Sequence, residues 1–189
     1  MAFYPLSSVP SHLTHHYRCQ FPECCYGSLP PSPNNRAGAP YNGQGGFATY
    51  QSRRFDVLEH TADVGIVAYG SDLSELFANA AFGLFSLMVD TAGVQEEEER
   101  DIEVLGRDLE TLLVRWLTEL LYYLDAEEML FSRFEIIEMT ETSLHARAYG
   151  EQIDRLRHEL GAGVKAITRH MLEVEEGPEG WRVQVLLDI

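Results

Sequence analysis

The sequence predicts an α+β domain over residues 53–189, with two amphipathic helices packed on mostly antiparallel, hairpin-rich sheets. Three observations lead there. Two segments, Leu73 to Met88 and Leu109 to Leu124, carry apolar residues at helical spacing, which gives each one buried stripe. The segments around them alternate apolar and polar residues at period 2, as half-buried strands do. Short turns rich in Gly, Asp, Ser and Thr join neighbouring strands, which makes the pairing antiparallel.

The elements follow in order. Phe55 and Val57, then Val64, Ile66 and Ala68, read as two short strands around a His60-Thr61-Ala62-Asp63 turn. Gly70-Ser71 stops the second strand, Asp72 offers a helix N-cap, and Glu75 three residues on offers the return half of a capping box. The acidic run Glu96 to Glu99 reads as a solvated loop entering a strand through Ile102 and Val104. Asp108 caps the second helix, whose stripe includes Leu112, Leu113, Trp116, Leu117, Leu120 and Leu121. Phe134, Ile136 and Ile137 lead to a Glu141-Thr142-Ser143 turn, and Leu144, Ala146 and Ala148 return. Asp154 to Leu160 reads as a short helix or turn. Val164, Ala166 and Thr168 run toward Leu172 and Val174, Gly177-Pro178-Glu179-Gly180 turns the chain, and Trp181, Val183, Val185 and Leu187 form the last strand.

Residues 1–52 read as a disordered, Pro/Gly-rich extension. Residues 1–50 hold seven of the eight prolines and show no sustained period of 2 or 3.6, a composition too poor in buried apolar surface to offset chain ordering. All three cysteines, Cys19, Cys24 and Cys25, lie there near His12, His15 and His16. These spacings match no familiar zinc pairing, so a reduced, unstructured tail is expected. No basic segment precedes an apolar run of signal-peptide length, and Arg115 and Glu119 interrupt the most hydrophobic stretch. A cytoplasmic protein without a membrane partner is expected.

Charge narrows the partner. Asp plus Glu number 30 against 14 Lys plus Arg, a net −16 with His neutral. Residues 1–50 hold only Arg18, Arg36 and Glu23 as charged groups, net +1, which leaves −17 on residues 51–189. Nucleic-acid binding draws on basic patches that displace counterions, so no direct nucleic-acid binding is expected. The field favours a basic protein partner or a bound cation.

No Gly-rich phosphate loop, Gly-x-Ser-x-Gly elbow or Cys-x-x-Cys pair occurs in residues 51–189, and that stretch has no cysteine. Two polar constellations remain. In Glu59-His60-Thr61-Ala62-Asp63-Val64-Gly65, small residues allow a ligand close to backbone and carboxylate. The same pattern also fits an Asx-type turn, with Asp63 bonding its own backbone. At Leu187-Asp188-Ile189 a strand leads into the Asp188 carboxylate and the Ile189 α-carboxylate. This is either a frayed solvated end or, with a third carboxylate, a partial oxygen shell for a hard cation. His60 and His170 offer imidazoles, as ligands or as hydrogen-bonded structural residues. Lys165, the only lysine, is expected to be ion-paired in so acidic a domain.

The segments Phe55-Asp56-Val57-Leu58-Glu59-His60-Thr61-Ala62-Asp63-Val64-Gly65-Ile66, Val164-Lys165-Ala166-Ile167-Thr168-Arg169-His170 and Leu187-Asp188-Ile189 together resemble the archease family across residues 53–189. The resemblance implies a protein cofactor, not an enzyme in its own right. Its partner would be an RtcB-type RNA ligase of tRNA splicing and RNA repair, whose guanylation and multiple turnover it promotes. It implies a divalent metal site at Asp63, Asp188 and Ile189, with Ca²⁺ first and Mg²⁺ or Mn²⁺ as alternatives. It places Lys165 and His170 in a second motif and His60 beside the first, as supporting or partner-contacting residues. Two positions depart from the family pattern: Glu59 stands where Asp is more frequent, and Arg169 where an aromatic residue is common. Outside the resemblance, a stand-alone metal-dependent hydrolase and a general chaperone-like binder are the competing functions.

Overall fold

The computed structural model describes residues 53–59 and 64–189. The expectations for residues 1–52, with their cysteines and histidines, and for the His60–Asp63 turn lie outside the described residues. The elements are β1 (Phe55–Glu59), β2 (Val64–Gly70), α1 (Leu73–Met88), a 3₁₀ turn (Thr91–Gly93), β3 (Glu98–Leu105), α2 (Leu109–Glu127), β4 (Met129–Met139), β5 (Ser143–Gln152), β6 (Ala166–Gly177) and β7 (Gly180–Asp188). They build one sheet in the order β1-β2-β7-β6 and another in the order β3-β5-β4. Every strand pair is antiparallel. The fold is α+β, as the periodicities predict.

Both helix starts follow from their carboxylate caps. Asp72 accepts from the Glu75 amide at 2.8 Å, and Asp108 accepts from the Thr111 amide at 2.7 Å, each satisfying a first-turn donor. The return half of the α1 box differs from expectation. Glu75 reaches past Asp72 to Ser71, accepting from its amide at 2.7 Å and its hydroxyl at 2.6 Å. Those Ser71 hydrogen bonds hold the Glu75 carboxyl below its ordinary value.

Two strands start earlier than the alternation suggests. β4 opens with Met129, Leu130 and Phe131, all buried, because Phe131 faces the main core while Leu130 packs with Val89 and Val94. A strand covered on both faces shows no period of 2. β3 takes in part of the acidic run, with Glu98 and Glu99 pairing opposite Gly150 and Tyr149. Charged side chains on this edge strand keep its free side in water. Arg100 bridges Glu98 at 2.9 Å and Glu127 at 3.2 Å.

Each helix touches strands of both sheets, so the apolar stripes and the inner sheet faces form one core. Leu76, Phe77, Leu84 and Phe85 of α1 and Leu112, Leu113, Trp116, Leu117 and Leu120 of α2 are fully buried. Trp116 donates its indole N–H to the Phe77 carbonyl at 3.2 Å and meets Phe134 edge-on, centroids 6.2 Å apart. The burial removes the indole body from water and satisfies its one polar group.

A buried polar cluster ties the loop after β5 to the rest of the domain. The Glu151 carboxylate accepts from the Gln95 amide at 2.5 Å, from Arg157 and from His158 Nε2 at 3.2 Å. His158 Nδ1 accepts from the Asp154 amide at 3.1 Å, which puts the ring hydrogen on Nε2, where it donates to Glu151. Burial pushes the Glu151 carboxyl up, but the Arg157 and Gln95 bonds outweigh it and hold the group below its ordinary value. A depressed carboxylate contributes stability above its unfolded pKa of about 4.3, and loses it as pH falls through the lower folded value. Glu151→Gln is therefore expected to cost about 2–3 kcal/mol at pH 7 and less at pH 3, below the unfolded pKa. Urea unfolding of both proteins at the two pH values checks this, and equal stability at pH 7 would count against it.

Candidate functional site

One end of the β1-β2-β7-β6 sheet brings together Lys165, Asp188 and Ile189. Antiparallel order brings the end of β1, the start of β2, the end of β7 and the start of β6 to the same edge. The paired positions run across all four strands: Glu59 opposite Val64, Val64 opposite Leu187, and Leu187 opposite Ile167. Ala166 then pairs with Asp188.

Asp63 and His60 lie outside the described residues; the register fixes where they attach. Asp63 is bonded to Val64 and Asp188 to Leu187, and Val64 and Leu187 face each other. Consecutive Cα atoms are about 3.8 Å apart, so each carboxylate is carried one residue beyond a directly paired position. His60 follows Glu59, which pairs with Val64.

The described members of the site are exposed and sit on a firmly packed base. Val185, Leu186 and Leu187 are all buried, whereas Asp188 and Ile189 are exposed. Gly65 makes the consecutive burial possible: a Cβ there would stand 2.9 Å from Leu186 Cδ2 and 3.3 Å from the Leu58 Cβ. Leu186 therefore packs down on Gly65 while Val185 and Leu187 enter the main core. The close approach expected of Gly65 is made by protein side chains.

Lys165 joins this edge through the backbone. Its amide donates to the Asp188 carbonyl at 2.7 Å, and its Nζ donates to the Ile189 main-chain oxygen at 3.1 Å. Among the described residues no Asp or Glu side chain lies within ion-pair distance of Lys165, and Asp188 has no side-chain partner. The partner of the Lys165 ammonium is thus an oxygen of Ile189 and not an Asp or Glu side chain.

His170 stands apart. Register breaks after Thr168–Leu186 and resumes at Glu173–Gln184, so residues 169–172 oppose Val185 alone in an enlarged bulge. Met171 within it has a φ of 56°, and the His170 amide donates to Thr168 Oγ1 at 3.0 Å. The Lys-Ala-x-Thr-x-His segment is therefore split, with Lys165 at the sheet end and His170 in the bulge. Alternation gives no warning of this, because Met171 is not a residue that signals left-handed backbone.

The donors at the sheet end are oxygens, a set suited to hard cations. Among the described residues no three His, Cys, Asp or Glu side chains gather closely enough to hold a metal ion. No described helix is long and apolar enough to cross a membrane.

Comparison with known proteins identifies the family. The profile of the Archease protein family (MTH1598/TM1083) matches residues 55–189. Protein archease of Methanosarcina acetivorans is 41% identical over 143 residues, covering 74% of this chain and 98% of the relative. Protein archease of Pyrococcus abyssi is 45% identical over 141 residues, covering 72% of this chain and 99% of the relative. The solution structure of Methanobacterium thermoautotrophicum protein 1598 aligns with a TM-score of 0.63 at 41% identity, covering 71% of this chain and 98% of that one. The crystal structure of an archease and possible chaperone from Thermotoga maritima aligns with a TM-score of 0.51 at 19% identity, covering 70% and 94%, and shares the fold.

Proposed function

The chain belongs to the archease family, and we propose that it is a protein cofactor of an RtcB-type RNA ligase in tRNA splicing and RNA repair, promoting guanylation and multiple turnover of that enzyme. In this reading Asp63, Asp188 and Ile189 hold a divalent cation, Ca²⁺ first and Mg²⁺ or Mn²⁺ as alternatives. A bound ion supplies concentrated positive charge at an otherwise acidic sheet end. Lys165 positions the Ile189 oxygen, His60 supports the edge or meets the partner, and His170, in the bulge, meets the partner.

The observation that supports this reading is the Val64–Leu187 pairing, since these two opposed residues are the chain neighbours of Asp63 and Asp188. The charge balance supports the choice of partner. A domain with −17 on residues 51–189 is poorly suited to grip RNA and well suited to dock beside the cationic RNA and nucleotide channel of a ligase, where complementary fields speed and orient encounter.

The test is RNA ligation at limiting ligase, with and without this protein. Many products per ligase are expected with it and about one without it. Equal turnover in both would reject the proposal.

A further inference from the structure

A second polar feature lies beside the start of α2. Leu105, Gly106, Arg107, Thr111, Arg115 and Arg169 line an open cleft of about 400 Å³. Its three arginines come from three places: the β3–α2 connection, the second turn of α2 and the β6 bulge. All three are exposed.

Their partners set the cleft apart. Arg53, Arg100, Arg133, Arg147, Arg157 and Arg182 are each paired with a carboxylate. Among the described arginines only Arg54, Arg115 and Arg169 have no carboxylate within ion-pair distance, and Arg54 is spent on Asn79 and the Phe82 ring. Arg115 donates one N–H to the Leu105 carbonyl at 2.8 Å, which fixes its fork and leaves donors over. Arg107 reaches Asp108 only at 3.5 Å. Asp108 itself is committed to the Thr111 amide, whose bonds hold its carboxyl below the ordinary value with Arg107 and Arg169 assisting. The helix end is already capped, so the cleft's surplus of charge belongs to side chains.

With 30 carboxylates in the chain, leaving Arg115 and Arg169 without one runs against the overall balance. Guanidinium groups that line one cleft match anions with several oxygens, above all phosphate. The surrounding negative field opposes an extended polyanion and tolerates a small one. We propose that this cleft binds a compact phosphoryl anion, a pyrophosphate or the phosphate of a mononucleotide, through Arg107, Arg115 and Arg169. This does not rest on the metal reading, because neither Asp188 nor Ile189 lines the cleft.

The experiment is a calorimetric titration of the full chain with pyrophosphate at low salt. Saturable one-site binding is expected, weakened roughly tenfold by Arg115→Gln and by Arg169→Gln, and unchanged by Arg155→Gln or Asp188→Ala. The Arg169 side chain has no hydrogen-bond or ion-pair partner among the described residues, so its variant separates binding from stability. Absence of binding by the parent, or equal affinity in Arg169→Gln, overturns the proposal. Parallel titrations distinguish the source. Binding of a mononucleotide, with 5′-phosphorylated and 5′-hydroxyl oligonucleotides equally weak, supports the free anion. Tighter binding of the 5′-phosphorylated oligonucleotide than of the mononucleotide overturns that choice in favour of a nucleic-acid end.

Discussion

Asp188→Ala is expected to reduce ligase turnover in the presence of this protein to the level seen without it, with the domain still folded. The two halves of that outcome have separate physical grounds. The Asp188 side chain is exposed and has no side-chain partner among the described residues, so its loss should change stability by no more than about 0.5 kcal/mol. The Lys165 bond to residue 188 uses the backbone carbonyl and survives the substitution. The carboxylate oxygens that would hold the cation do not. Ligation at limiting ligase, paired with a thermal melt, reads both parts. Full stimulation by Asp188→Ala would take the metal out of the mechanism while leaving the ligase partnership standing.

The largest expected effect on stability is at Trp116. Its side chain is fully buried, bonded to the Phe77 carbonyl and set edge-on against Phe134. Trp116→Ala should cost about 3–5 kcal/mol, a large share of the roughly 5–15 kcal/mol typical of a domain. Trp181, only partly buried at the hairpin between β6 and β7, should cost much less when changed to alanine. Urea unfolding of the two variants makes the comparison, and similar midpoints would contradict the placement of Trp116 at the centre of the core.

The helices were the most legible part of the sequence because cap and stripe agree. Asp72 and Asp108 each stand directly before an apolar repeat, and both cap in the structure. The end of α2 was less legible. The helix runs to Glu127 and stops at Glu128 in left-handed conformation with φ 52°, where no glycine marks the stop. The start of β4 was hidden for a different reason, since strands buried on both faces lose the alternation that identifies them. Strand pairing is the information that spacing lacks most. Val64 and Leu187 read as ordinary core positions, and only their opposition joins the neighbourhoods of Asp63 and Asp188. The bulge at residues 169–172 has no signal in the sequence, so Arg169 reads there only as a departure from a family pattern, and its place in one cleft with Arg107 and Arg115 is visible only in the fold.

The central claim is that carboxylates attached to β2 and β7 share one cation, and direct titration tests it most simply. Ca²⁺, Mg²⁺ and Mn²⁺ are titrated into the full chain and into Asp63→Asn and Asp188→Asn while heat is recorded. The account predicts one saturable site in the parent, strongest for Ca²⁺, with affinity reduced at least about tenfold in each variant, since each removes a charged ligand. A parent that binds none of the three ions, or variants that bind as tightly as the parent, would contradict it.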